Sequence, residues 1–224
     1  MARPRSDISA RIVASATARF LAEGVDGASL RAIAREAKTS LGMVYYYYPT
    51  KDDLFLAVVE RVYAELLGEL EVALAPDAPF DQRVRRLYAR LGAMTPRELD
   101  VVRLVVREAL VSSSRLAGVV ERVSRGHLPL MLRTVADAVA KGEVRSDVPP
   151  LVASMSTFLL GLVPQLVFRI VPQLPEGLLP PEGAARVDAF AEVLLRGVAP
   201  PPSAPAPAPA KARRAPLPRR RRGA

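Results

Sequence analysis

Apolar residues in this chain recur every three to four positions, the period of a helix with one buried face. Ile8, Ile12, Ala16 and Phe20 stand four apart and predict a first helix ending at Glu23-Gly24. Ser29 is a good N-cap, because its hydroxyl accepts from the free backbone N–H groups of a first turn. It opens LRAIAREA, where Leu30, Ile33, Ala34 and Ala37 form an apolar stripe and Arg31 and Arg35 share another face. Ser40 is a second N-cap and opens LGMVYYYY, with Gly42 in the first turn. Thr50 is a third. With Asp53 it makes a capping box, and Pro49 stops the helix before it.

Helical spacing continues to residue 198. Leu54, Val58, Val62, Leu66 and Leu70 predict one long helix from Lys51 to about Leu74, broken by Pro76 and Pro79. A helix from about Asp81 to Met94 follows. Thr95-Pro96-Arg97-Glu98 is a capping box with proline at the first helical position, opening a helix to about Val111 with Leu99, Val102, Val106 and Ala109 on one face. Ser112-Ser113-Ser114 loosens the chain. The pattern from Leu116 to Lys141 ends at Gly142 and is split by Pro129 near Gly126. Leu151 to Phe168 carries no charge over 18 residues, so a membrane span has to be weighed. Ser154, Thr157, Gly161 and Gln165 line one face and Pro164 interrupts, which favours a helix covered by protein on nearly all sides. Ala184 to Val198 predicts a last helix with Val187, Phe190, Ala191 and Leu194 inward. No β pattern stands out. The expected fold is all-α: a three-helix head (residues 1–51), a helical effector-binding and dimerisation bundle (52–198), and a disordered Pro/Ala/Arg-rich tail (199–224).

Short helix, tight turn and short helix is the spacing of a helix-turn-helix. In that motif the second helix enters the major groove with its N-terminal residues leading. Four of the chain's six tyrosines are Tyr45 to Tyr48. A helix turns ~100° per residue, so they cannot all face a core. Outward phenols beside Lys51 suit a surface that grips phosphates. Leu41, Gly42, Met43, Tyr46 and Tyr47 are expected at the groove, Val44 and Tyr48 in the core, and Tyr45 in either place. Leu41 and Met43 have no hydrogen-bonding side chain, so they would read thymine methyls or shape. A basic arm, Ala2-Arg3-Pro4-Arg5, precedes the head.

Ile12, Ala16, Phe20, Gly24, Ser29-Leu30, Ile33-Ala34, Ala37, Ser40, Gly42, Val44-Tyr45, Thr50-Lys51 and Leu54 agree in order and spacing with one known pattern. Through them residues 8–56 resemble the DNA-binding domain of the TetR (tetracycline repressor-like) family of bacterial regulators. The chain departs from it at Lys38-Thr39, where the family often has Gly-Val, at Tyr47-Tyr48, where it often has His-Phe, and at Pro49, a commonly polar position. Lys38 is then expected in a left-handed conformation, at ~1–2 kcal/mol. The resemblance implies a base-edge contact for Arg31, a phosphate contact for Lys51, and a homodimer formed by the last two helices as a four-helix interface.

Charge sharpens the division. Residues 1–51 carry eight Lys/Arg and four Asp/Glu, a net +4, and residues 199–224 carry seven Lys/Arg and no acid. The stretch between is close to neutral, at −2 of a total +9. Ends that meet a polyanion and a body that binds something else fit this distribution. The absence of cysteine excludes disulfides and thiol chemistry. No secretory signal precedes the first helix, so a cytoplasmic protein is expected.

The nucleic-acid candidates are therefore Arg31, Ser40, Leu41, Gly42, Met43, Tyr45, Tyr46, Tyr47 and Lys51. Arg31 either clamps a guanine or is a solvent-facing charge, and the contact with DNA is the preferred reading. Effector-pocket candidates are Met94, Arg103, Arg107, His127, Met131, Phe158 and Gln165. For Arg103 and Arg107, pairing with Asp100, Glu108 or solvent is the preferred reading over an acidic effector. For the methionines and Phe158 the competing reading is core filling, and for His127 a structural role. Dimer-interface candidates are Leu159, Leu166, Val187, Phe190 and Leu194. A lone histidine without cysteine builds no metal site, and no catalytic motif or cofactor site is recognisable. The expected partners are a double-stranded DNA operator, a small-molecule effector and a second copy of the chain, with no membrane. The expected function is a ligand-responsive homodimeric repressor. The alternative is a non-specific architectural nucleic-acid binder driven by the basic tail.

Overall fold

The computed structural model describes residues 5–170 and 183–199; the basic arm before Arg5 and the tail beyond Ala199 lie outside them. Among the described residues there are ten helices and no strand: α1 (Arg5–Gly27), α2 (Leu30–Glu36), α3 (Leu41–Tyr47), α4 (Lys51–Ala73), α5 (Phe80–Gly92), α6 (Pro96–Val111), α7 (Ser113–Arg125), α8 (His127–Ala140), α9 (Pro150–Ile170) and α10 (Ala184–Val198). The all-α expectation holds, with the helix-turn-helix head and the helical body behind it.

Local signals set most boundaries. Ser29, Ser40, Thr50 and Thr95 each cap a helix through the side chain, and Thr50–Asp53 and Thr95–Glu98 are full capping boxes. Gly24 leaves the helical region at φ 78°, so regular helix ends where the sequence predicts and a short turn carries on to Gly27. Pro129 sits in the first turn of α8, where a missing N–H costs no helical bond, and the split falls at Gly126. The serine run does not loosen the chain. Ser112 closes α6 and caps α7, its Oγ accepting from the Arg115 N–H.

Two apolar cores share one rod. The head core joins Ile12, Phe20, Ile33 and Val44 to Leu54, Phe55 and Val58 of α4 and to Val101 and Leu104 of α6. It therefore reaches past residue 51. The body core takes over lower on α4 with Leu66 and Leu70, against Leu87, Leu91, Met131 and Ala191. α6 is turned relative to the expected face. Leu99 is buried, but Val101, Leu104 and Glu108 complete the inner face while Val106 is exposed. The reason is Glu108, a carboxylate drawn inward by Arg115, which an apolar-period reading assigns to the surface.

α9 also differs from expectation. It runs on through Pro164, with Gly161 and Gln165 buried on either side of the proline. Its buried face is the small, polar one: Ser154, Thr157, Gly161 and Gln165. Thr157 is satisfied by the Ala153 carbonyl at 2.8 Å. Val152, Met155, Leu159, Val163 and Val167 point outward. The helix is thus covered on one side within the subunit, not on nearly all sides. Pro150–Phe168 is long and apolar enough to cross a membrane, and 33% of it is buried inside the subunit.

Candidate nucleic-acid interface and effector cavity

The head holds α3 by one fully buried residue, Val44, against α1 and α4, while α2 is anchored by Ile33, Ala34 and Ala37. The turn between them is fixed by backbone bonds from Lys38 N to Arg35 O (3.1 Å) and Thr39 N to Ala34 O (3.0 Å). Lys38 adopts φ 52°, the left-handed conformation that glycine would take without strain.

This packing sorts the tyrosines. Tyr45 and Tyr46 are 50% and 66% exposed. Tyr47 is half-buried and meets Tyr46 edge-on at 5.3 Å. Tyr48 turns back onto the head, its hydroxyl 2.8 Å from Ser9 Oγ. The open choice for Tyr45 falls outward. Ser40 and Gly42 are exposed, and Leu41 and Met43 are partly so. Ser40 Oγ accepts from the Met43 N–H at 3.2 Å, which leaves its own proton for a phosphate oxygen. Nothing in the protein crowds the space a side chain would take at Gly42, where the nearest atom is Ser40 Oγ at 3.8 Å. Arg31 projects from the exposed face of α2, one turn before Arg35. Lys51 donates to the Asp26 carbonyl at 2.8 Å, which points its ammonium along the head and leaves further protons free. The α4 N-terminus is already met by the Asp53 carboxylate, 3.0 Å from the Thr50 N–H. Anion attraction at that end therefore rests on Lys51.

Behind the head lies a buried polar clasp. Arg115 of α7 is 5% exposed and donates to Glu108 (2.6 Å), to Asp52 at the start of α4 (2.9 Å), and to Asp26 in the last turn of α1, past Gly24. Hydrogen bonding to Arg115 holds the Asp26 carboxyl below its usual range. Glu108 in turn accepts from the Val25 N–H at 3.2 Å. Arg107 pairs with Glu108 and donates to the Phe20 and Leu21 carbonyls. No sequence signal singled out Arg115.

The body holds a cavity of about 420 Å³ that opens to the surface, since the exposed Val106, Leu151, Met155 and Leu159 form part of its wall. Met94, His127, Met131 and Phe158 of the expected pocket residues come together on its wall. Three do not. Arg103 stays near Asp100 on the outer face of α6, Arg107 belongs to the clasp, and Gln165 is buried against Gly92 of α5. The turned face of α6 accounts for the two arginines. Val59, Val62 and Tyr63 of α4, Val105 of α6, Arg122 of α7 and Ser154 of α9 also line the wall and were not anticipated. Tyr63 Oη lies 2.9 Å from the His127 backbone N and 2.8 Å from Nδ1, and the His127 ring stacks on Phe158 at 4.3 Å. Burial lowers the imidazole from 6.5 to about 4.

His127 is the chain's one histidine. Its folded pKa lies below the unfolded value, so between pH 6.5 and about 4 the unfolded chain binds the extra proton. The stability that His127 contributes is whole above that window and falls as pH falls through it. Denaturant midpoints measured across the window are expected to decline, and less steeply in His127→Gln. An unchanged slope in the variant would contradict the assignment.

For dimerisation, Leu159 is exposed, while Leu166, Val187 and Phe190 are half-buried against the body core. Leu194 lies inside the subunit with Ala191 and Val198 and is not available to a partner, because α10 buries this face on α5 and α9.

Residues 12–58 match the family model described as bacterial regulatory proteins, tetR family. Over 166 residues the chain is 31% identical to the uncharacterized HTH-type transcriptional regulator Mb1581 of Mycobacterium bovis, spanning 71% of this chain and 75% of that one. It is 30% identical over 141 residues to the HTH-type transcriptional repressor NicS of Pseudomonas putida, 61% of this chain and 66% of NicS. The fold is similar to that of the transcriptional regulator FadR from Bacillus subtilis in complex with stearoyl-CoA. That likeness has a TM-score of 0.67 at 13% identity, and covers 84% of this chain and 98% of that one.

Proposed function

Because the chain belongs to the tetR family of bacterial regulatory proteins, and so is a transcriptional regulator, we propose that it acts as a homodimeric repressor. In this reading it leaves a roughly palindromic operator when a small molecule fills the body cavity. One observation carries the proposal. α4 is a single rod that starts at the head with Lys51 and forms a cavity wall with Val59, Val62, Tyr63 and Leu66. A guest that displaces the wall moves the head, and a coupling of ~1–3 kcal/mol is enough for regulation. By reciprocity, operator binding weakens the guest to the same degree. The stearoyl chain of the charged stearoyl-CoA held by FadR supports an apolar portion of a guest in an apolar cavity. The outward row on α9, Val152 to Val167, supports pairing with a second copy, since a lone subunit rarely exposes so continuous an apolar stripe. Leu159, Leu166, Val187 and Phe190 are the proposed contacts.

The test is to sequence the DNA fragments that the purified protein retains, then measure operator binding across a metabolite panel. An operator that no compound releases would overturn the ligand-gated part. Retention without sequence preference would favour the architectural alternative, driven by the basic residues beyond Ala199. Arg31→Ala is expected to relax base preference at one operator position, by ~1–3 kcal/mol. Lys51→Ala is expected to weaken all sequences alike and to flatten the salt slope by about one. Equal losses on operator and random DNA for Arg31→Ala would contradict its role at a base edge.

A further inference from the structure

Valine, leucine, methionine and phenylalanine make up most of the cavity wall, and among the described lining residues only Arg122 carries a formal charge. Arg122 is paired with Glu60 and keeps 32% of its side chain exposed, so its charge is already countered and partly hydrated. The polar groups left are Ser154 Oγ, buried without a hydrogen-bond partner, and the His127 ring. The state of that ring follows from its partners. Tyr63 Oη is placed to accept from the His127 backbone N–H, and the arrangement in which its own proton also finds an acceptor is the one that gives it to Nδ1. A neutral imidazole that accepts at Nδ1 carries its proton on Nε2. The ring therefore offers one donor, and stacking on Phe158 fixes its plane.

We propose that the cavity takes an uncharged, largely apolar molecule whose hydrogen-bond acceptor oxygen meets His127 Nε2–H. This rests on the reading of the cavity as the effector site. Tyr63 acts as the positioning residue, because it sets which ring nitrogen donates. A ligand carboxylate beside His127 would lose water among apolar side chains and find only Arg122, already paired with Glu60, as a counter-charge, which is costly. A ketone, ester or ether oxygen loses only its water and regains a donor.

The experiment uses the full chain at about pH 8, where the imidazole is neutral and a carboxylate is ionised. N-phenyl-1-naphthylamine, an uncharged fluorescent probe, is displaced by 2-decanone or by decanoate. The ketone is expected to compete at a concentration at least about tenfold lower than the carboxylate. His127→Phe is expected to weaken 2-decanone by about three- to tenfold relative to the probe, the ketone's inhibition constant being corrected for the probe's own affinity measured in that variant. Tyr63→Phe keeps the aromatic ring and is expected to give a smaller loss in the same direction. Equal or better binding of decanoate overturns this inference alone, as does a His127→Phe variant that binds the ketone as the parent does. If none of the three molecules binds, this inference and the effector reading of the cavity fall together.

Discussion

Arg115→Ala is expected to destabilise the protein by about 3–5 kcal/mol, because it removes the buried partner of the Glu108 carboxylate and leaves it only Arg107 and the Val25 N–H. The side chains of Arg115 and Glu108 are 5% and 4% exposed, so water cannot replace the lost partner. The same change removes the donors to Asp26 and Asp52. A fall in Tm on the order of 10 °C should accompany it. The rescue variant Arg115→Met/Glu108→Gln is expected to recover most of the loss. Its amide oxygen still accepts from Val25 N–H, and no charge remains buried. Thermal and urea unfolding of the parent and both variants would check this. A mild loss in Arg115→Ala, or no recovery in the double variant, would show that the clasp contributes little.

The clasp also bears on regulation. Arg115 sits about one turn before Val119 and two before Arg122, both on the cavity wall. Under the proposed function, a guest that shifts α7 would strain the bonds to Asp26 and Asp52, one on each side of the helix-turn-helix. Head and cavity are joined twice, through the α4 rod and through these ion pairs. The second link was not legible in the sequence. A buried arginine on a polar-looking helix has no periodic signature, and its partners stand 7, 63 and 89 positions away.

What the sequence did carry is local. Serine and threonine caps, capping boxes and four-residue spacing are properties of adjacent residues, so they placed α2, α3 and α4 within a residue or two. The outward Tyr45 and Tyr46 follow from helical rotation and one anchor, Val44. Lys38 at φ 52° agrees with the expectation drawn from the resembled family, which often has glycine at that place. The cavity was half legible. Met94, His127, Met131 and Phe158 were named for their chemistry. Arg103 and Arg107 take the preferred reading, pairing with Asp100 and Glu108, and stay out of the cavity because the buried Glu108 turns α6. Six helices contribute to the wall, and no single-helix pattern reveals which second faces converge. α9 inverts the usual rule, since its small polar stripe is inside. The stripe itself was visible, but its direction was set by α5.

That inversion leads to the other large effect. Gly161→Val is expected to cost about 3 kcal/mol or more, because α9 and α5 meet where a side chain has no room. A Cβ at Gly161 would lie 2.7 Å from the Tyr88 ring and 2.9 Å from Leu91, both fully buried. Gly161→Ala meets the same clash but gains about 1 kcal/mol of helix propensity, so its net loss is smaller. On a Tyr88→Ala background the ring is gone and the added penalty of Gly161→Val should shrink well below its cost in the parent. Additive losses in that double-mutant cycle would refute the close approach as the cause. Tyr88→Phe separates ring from hydroxyl. The Tyr88 Oη is buried without a partner and its pKa is pushed up by burial, so its removal is expected to be neutral or slightly stabilising. If α9 lifts from α5, Ser154 and Phe158 leave the cavity wall and the outward row of Leu159 tilts with them. Probe affinity and dimer mass should then fall together in Gly161→Val, whereas both should persist in Tyr88→Phe.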